Sequence, residues 1–428
     1  MRRARVRRRR GFTLIELMIS LTAGLLISSA AFILARNASR FFAKEAGITT
    51  AQFANVVAMT RLTSDLKRSA YAATPNVEDE DWLCGDTALW PAGMQNLTGL
   101  RIIENGSAVA HAGDHALSVA NGLEPDAVEI TGAFATTEIF SVSHIVAAGG
   151  ATTVFLQNDA PMIRTMLASQ GSIASRMGET FVPGRMVRII EKDEGRMMFG
   201  VIQAVTVPGG VTPSPASPKI SLTLTAAPAI PTVRAPGDCG CIGLCTGAVI
   251  NPVSRVRYDL RRIDPVANPG YAALYSNALH SVASFHRGLS EATRTDLVRV
   301  EVGTDGNEIA GTLELVAEYA VDLKFGLTFE NPTVPPAAPT AFERRPLGHP
   351  DVYQIASAVA GGGAGRPQDI RAVQVRLSTR AADRDRDVDL APINTDAGRL
   401  RYSLGADRGF ARMRTLISEV ALMNHPRD

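Results

Sequence analysis

With 428 residues, 46% of them hydrophobic and 20% charged, the chain can build a substantial core, which excludes a wholly disordered protein. The formal net charge is +2, but seven of the 44 Lys+Arg stand in the first ten residues; without those seven, 37 face 42 Asp+Glu, or about −5. No later cluster resembles those arginines, so the charge balance is not a nucleic-acid footprint and no nucleic-acid partner is expected.

The basic opening, MRRARVRRRRG, runs into FTLIELMISLTAGLLISSAAFILA over residues 12–35, where Glu16 is the only charge. As a helix this segment reaches about 36 Å, against roughly 30 Å for the hydrocarbon core of a bilayer. Arginines before it, against Arg36, Arg40 and Lys44 after it, favour an inside N-terminus and an outside C-terminal domain. A secretory signal shares the basic start, but its apolar core spans only about 7–15 residues. A carboxylate inside such a span is expensive and marks a function or a partner. Ser20, Gly24 and Ser28 add a line of small residues, four apart, that permits close helix packing.

The run RGFTLIEL resembles the prepilin cleavage and methylation motif of the type IV pilin and type II secretion pseudopilin superfamily. The resemblance implies that a prepilin peptidase cuts after Gly11 on the cytoplasmic side. Phe12 then becomes the N-methylated terminus, and Glu16 is the conserved acid at the fifth mature position. Electrostatics gives that acid a role. It lies about 6 Å along the helix from the new amine, and it can neutralise the amine of an axially offset neighbour in a bundle of like subunits. Many pilins bend the membrane half of this helix with a proline; this chain has none there.

Beyond the membrane segment no proline appears until Pro75, and Phe53, Val56, Met59, Leu62, Leu66 and Ala70 recur at steps of three or four. This spacing predicts an amphipathic continuation of the helix to about Tyr71, with Gly47 and the following Ile48-Thr49-Thr50 as a point of bending. The expected division is a leader at 1–11, a transmembrane helix at 12–35, its continuation at 36–74 and an outer domain at 75–428.

Short runs bounded by turn residues then predict antiparallel strands: AVEITGAF, IFSVSHIVA, TTVFLQN, GRMVRII, MFGVIQAVTV and KISLTLTA. A second group comprises VSRVRYDLRR, DLVRVEVG, TLELVAEYAVDLKFGLTF and the half-exposed IRAVQVRLSTR. Proline-rich stretches place insertions near 202–248 and 331–350. The fold class is therefore α+β, one long helix and an enlarged antiparallel β-rich domain, which the N-terminal resemblance implies is pilin-like.

Four cysteines, Cys84, Cys239, Cys241 and Cys245, suit an exported domain with one or two disulfides. Pairing of Cys245 with Cys239 or Cys241 would pin the loop, leaving Cys84 for the remaining one; three full connectivities stay open. The CxCxxxC spacing has no convincing fourth ligand for zinc. Asp383, Asp385, Asp387 and Asp389 in DRDRDVD could offer oxygens to calcium. They lack the turn glycine and final Glu of an EF-hand loop, and the interleaved arginines favour a self-neutralising loop. No G-x-S-x-G, Walker A, Rossmann or H-E-x-x-H pattern is present, so neither an enzyme nor a cofactor is expected.

The strand pair around YDLRR, the LELVAEYAVDLKFGLTF segment and the ending FARMRTLISEVALMN resemble PilW-like minor pilins and the related J-type minor pseudopilins. That resemblance implies a single-pass inner-membrane protein whose C-terminal domain lies in the periplasm. It would prime or cap a pilus together with other minor pilins, the major pilin and the inner-membrane assembly platform. A J-type pseudopilin of a secretion system and a tip adhesin subunit are the alternatives.

Overall fold

The computed structural model describes residues 13–106, 112–148, 150–168, 172–191, 195–230, 241, 247–263, 271, 274, 294–331, 342–357, 365–382, 384, 401–405 and 409–425. One long helix, Leu14–Lys67, leads them. Its residues divide between two compact units, one ending at Thr50 and the other beginning at Ala51. Helix continues through residues 47–50, so the weak formers there do not break it. It ends at Lys67, short of Tyr71. Beyond it Ala70 and Ala72 take φ of 60° and 51°, and the Ala70 amide donates to the Thr131 carbonyl at 2.8 Å. Left-handed residues close a helix, and here the freed amide joins the sheet.

The inward face of Ala51–Lys67 differs from the expected stripe. Met59, Leu62, Leu66 and, past the helix end, Ala70 are buried, but Phe53 is 69% and Val56 45% exposed. Ala51, Asn55, Ala58 and Asp65 turn inward instead. Polar partners on the strands account for this. Asn55 Nδ2 donates to the carbonyls of Leu377 at 3.2 Å and Arg414 at 3.0 Å, and Thr379 Oγ1 donates to the Ala51 carbonyl at 2.9 Å. Asp65 Oδ2 accepts from Tyr258 Oη at 2.7 Å and Arg299 Nε at 2.8 Å. Buried polar groups are tolerated when bonded in this way.

The first sheet contains β1 (Leu100–Ile103), β2 (Ala127–Gly132), β3 (Phe140–Ala148), β4 (Ala151–Leu156), β5 (Met186–Ile190), β6 (Met197–Thr206), β7 (Ser221–Leu224), β8 (Val249–Arg261), β9 (Asp296–Glu301) and β10 (Glu314–Ala317). Strand β8 is its axis: its first half pairs with β3 and β5, its second with β2 and β9. Because β5 also connects through β6, β7 and β4 back to β3, six strands close into the ring β8-β3-β4-β7-β6-β5. Closure removes free edges and encloses a core of Phe140, Leu156, Ile189, Leu222 and Ile250. Two short helices, Pro161–Ala168 and Ile173–Thr180, add Ile163, Met166 and Met177 to it.

The second sheet has the order β12-β11-β13-β15-β14, from β11 (Ala320–Glu330), β12 (Phe342–Arg345), β13 (Ile370–Arg380), β14 (Arg401–Ser403) and β15 (Phe410–Ala421). Leu62 and Leu66 of the helix share one apolar core with Tyr258, Leu297, Phe325 and Val375 from both sheets. The alternation in β8 is not core against solvent. Val256, Tyr258 and Leu260 enter the core, while Arg257, Asp259 and Arg261 are buried on the other side in an ionic layer. Asp259 accepts from Arg257 Nε at 3.0 Å and Arg261 Nη2 at 2.6 Å, and Glu308 bonds both guanidiniums. Burial opposes ionisation of Asp259, but the bonds from Arg261 and Arg257 outweigh it and hold the carboxyl below its usual range.

Candidate functional site

The long helix starts on a reciprocal cap. Thr13 precedes the first helical residue, and its carbonyl accepts from the Leu17 amide at 3.2 Å. The Glu16 amide donates to Thr13 Oγ1 at 3.2 Å, while Glu16 Oε2 accepts from the Thr13 amide at 3.1 Å and from Thr13 Oγ1 at 3.0 Å. The first amides of any helix lack intrahelical acceptors. This T-x-x-E box satisfies two of them reciprocally, and the carboxylate lies favourably at the positive end of the helix dipole. Glu16 therefore has a partner within its own chain. Thr13 escapes a reading based on charge alone, although a threonine three residues before an acid at the head of an apolar run is a recognisable helix-start signal.

Both bonds fall on Oε2; Glu16 Oε1 has no hydrogen bond among the described residues. The side chain is exposed, as are Ser20, Gly24 and Ser28, which extend from it at four-residue steps along the helix. A Cβ on Gly24 would meet nothing within 4 Å. Hydroxyls along this stretch are satisfied by the helix itself: Ser20 Oγ donates to the Leu17 carbonyl at 3.0 Å, Thr22 Oγ1 to Met18 at 3.0 Å and Ser29 Oγ to Leu26 at 2.9 Å. Such bonds let hydroxyls sit in surroundings that offer no water. Among the described residues Leu14–Ser39 is the stretch long and apolar enough to cross a membrane, about 39 Å at 1.5 Å per residue.

Gly11 and Phe12 lie outside the described residues, as do Cys239, Cys245, Asp383, Asp385, Asp387 and Asp389. Cys84 pairs with Cys241, 157 residues away, one of the links left open by the sequence. Among the described residues no group of three or more His, Cys, Asp and Glu is placed to hold a metal ion.

The prokaryotic N-terminal methylation motif matches residues 6–32, a span that includes Gly11, Phe12, Thr13 and Glu16. This motif is typical of type IV pilins and pseudopilins. No curated protein and no solved structure matches the chain. The motif, the apolar helix and the antiparallel β-rich domain together define a type IV pilin- or pseudopilin-like protein.

Proposed function

We propose that this protein is a minor type IV pilin of the PilW-like kind, which joins other minor pilins to prime or cap a filament of major pilin. The observation that carries the reading is the methylation motif at residues 6–32, leading directly into a capped apolar helix of membrane-spanning length. In this reading prepilin peptidase hydrolyses the Gly11–Phe12 bond. A carboxylate forms on the released leader and an ammonium group on Phe12, which is then methylated. The leader at 1–11 is lost, 12–35 remains in the inner membrane, 36–74 leads outward and 75–428 lies in the periplasm.

Glu16 then acts twice. One carboxylate oxygen caps its own helix through Thr13, and the other, without a hydrogen bond among the described residues, accepts from the Phe12 amine of a neighbour. An unpaired carboxylate in hydrocarbon is costly, so insertion beside another subunit relieves a penalty that the lone subunit bears. Ser20, Gly24 and Ser28 allow the neighbouring helix to approach closely. The bulk of the outer domain favours a place at a filament end over repetition at every helical step.

Co-purification from membranes tests the reading. Wild-type protein is expected to bring other minor pilins with it, and a Gly11→Leu variant, whose leader is retained, to lose them. Equal recovery from both would contradict the proposal.

A further inference from the structure

A cavity of about 210 Å³ opens beside β1, β2 and β8, next to the short helix Ala92–Gln95. Its buried wall includes Thr98, Glu129, Thr131 and Arg255, and its rim carries the exposed Asn96 and Arg101. Strand register sets this composition: Arg101 faces Glu129, Glu129 faces Arg257, and Thr131 faces Arg255.

The charges in the wall are unevenly matched. Glu129 is shared between Arg101 at 3.4 Å and Arg257 at 3.9 Å. Arg255 is 9% exposed and has no carboxylate within ion-pair distance among the described residues. Its Nη1 donates to the Gly93 carbonyl at 2.8 Å and its Nη2 to the Gly303 carbonyl, while Nε is buried without an acceptor. The two carbonyl bonds hold the guanidinium in place, and Gly93 beside it packs so closely on Thr304 that a Cβ there would stand 2.1 Å from the Thr304 carbonyl oxygen. Burial pushes the Arg255 pKa down, and the attraction of Glu129, which Arg101 and Arg257 share, does not offset it. The Thr131 hydroxyl, in the same wall, makes no hydrogen bond among the described residues.

An occupant that balances this wall brings one negative charge, since the Glu129 carboxylate repels a second. It also needs acceptor atoms for guanidinium and hydroxyl donors. The volume of about 210 Å³ leaves room for a few carbon atoms beyond the acid group. We propose that this cavity binds a small organic monocarboxylate, its acid group held by Arg255, Arg101 and the Thr131 hydroxyl. The Arg255 guanidinium supplies the fixed charge, Arg101 closes over the mouth, and Asn96 meets the body of the ligand. The site stands independently of filament assembly.

Titration calorimetry of the detergent-solubilised full-length protein with propionate, and with its neutral isostere propionamide, tests the site. Saturable binding of propionate at one site and none of propionamide is expected. Replacing Arg255 would also remove the bonds to Gly93 and Gly303, so Arg101→Gln on the rim and Thr131→Val, matched in shape, carry the mutational test. Each is expected to weaken propionate binding by about tenfold, the worth of one hydrogen bond to a charged group. No saturable propionate binding, equal binding of propionamide, or unchanged affinity in both variants would overturn the proposal.

Discussion

Thr13 and Glu16 cap one another: the Thr13 amide donates to Glu16 Oε2 at 3.1 Å, and the Glu16 amide donates to Thr13 Oγ1 at 3.2 Å. The acid is thus a helix-starting residue as well as a charge in an apolar segment. The two roles separate by substitution, because glutamine also serves in a capping box but carries no charge.

Glu16→Gln is therefore expected to insert into the membrane normally yet enter filaments or minor-pilin complexes at least about tenfold less than wild type. Thr13→Ala, which weakens the cap by about 0.5–2 kcal/mol, should retain most incorporation. Quantitative immunoblotting of membrane and assembled fractions checks both. Incorporation of Glu16→Gln at the wild-type level would remove the charge-pairing role.

Asp65 ties the helix to both β8 and β9 through Tyr258 and Arg299. Asp65→Ala leaves the buried Arg299 guanidinium with only the half-exposed Glu314, at 3.5 Å, and should cost about 3 kcal/mol, the low end for breaking a buried pair. Tyr258→Phe leaves the Asp65–Arg299 pair intact and should cost about 1–2 kcal/mol. Urea unfolding of the full-length protein in detergent measures the two; equal losses would show that the ion pair adds nothing beyond the hydroxyl bond.

His425 is buried, with Nδ1 3.0 Å from the Pro367 carbonyl and Nε2 3.2 Å from Ser69 Oγ. A carbonyl only accepts, so Nδ1 carries the proton and Nε2 accepts from the serine in a neutral ring. Burial pushes the imidazole down from 6.5 to about 4. The unfolded chain binds a proton as pH falls below 6.5, whereas the folded chain does not until about 4, so the stability contributed by this group is complete above pH 6.5 and is lost across that window. The difference amounts to about 3 kcal/mol. Asp126, pushed up to about 6 mainly by burial, contributes with the opposite sign, which comparison with His425→Gln cancels. Wild type should lose about 3 kcal/mol more than His425→Gln between those pH values; parallel curves would contradict the buried neutral ring.

The Cys84–Cys241 bond closes a long loop, since 157 residues separate its ends. Cys84→Ser is expected to lower stability by about 2–4 kcal/mol. The melting temperature should fall correspondingly and lose its sensitivity to reductant at this bond. A melting temperature unchanged from wild type would mean that the link constrains nothing.

Strand positions were legible where alternation meets turn residues, as in residues 151–156, because side-chain period and burial coincide there. Ring closure was not: the pairing of Ile189 with Ile250 joins distant segments, and nothing local encodes that register. The helix face was half legible. Leu62 and Leu66 followed the apolar spacing, but Asn55 and Asp65 are buried because strand carbonyls, Tyr258 and Arg299 satisfy them, a condition visible only in three dimensions. The short helices at 161–168 and 173–180 carry too few residues for a clear period. At the candidate site Glu16 stood out by its charge, which drew attention from the T-x-x-E spacing that marks its cap; the helix beginning at Leu14 makes that cap plain.

Mass spectrometry of the mature N-terminus, on protein extracted from membranes of cells that contain prepilin peptidase, tests the central claim most directly. The account predicts a chain beginning at N-methylated Phe12, with residues 1–11 absent. Recovery of assembled protein that still bears its arginine-rich leader would contradict it.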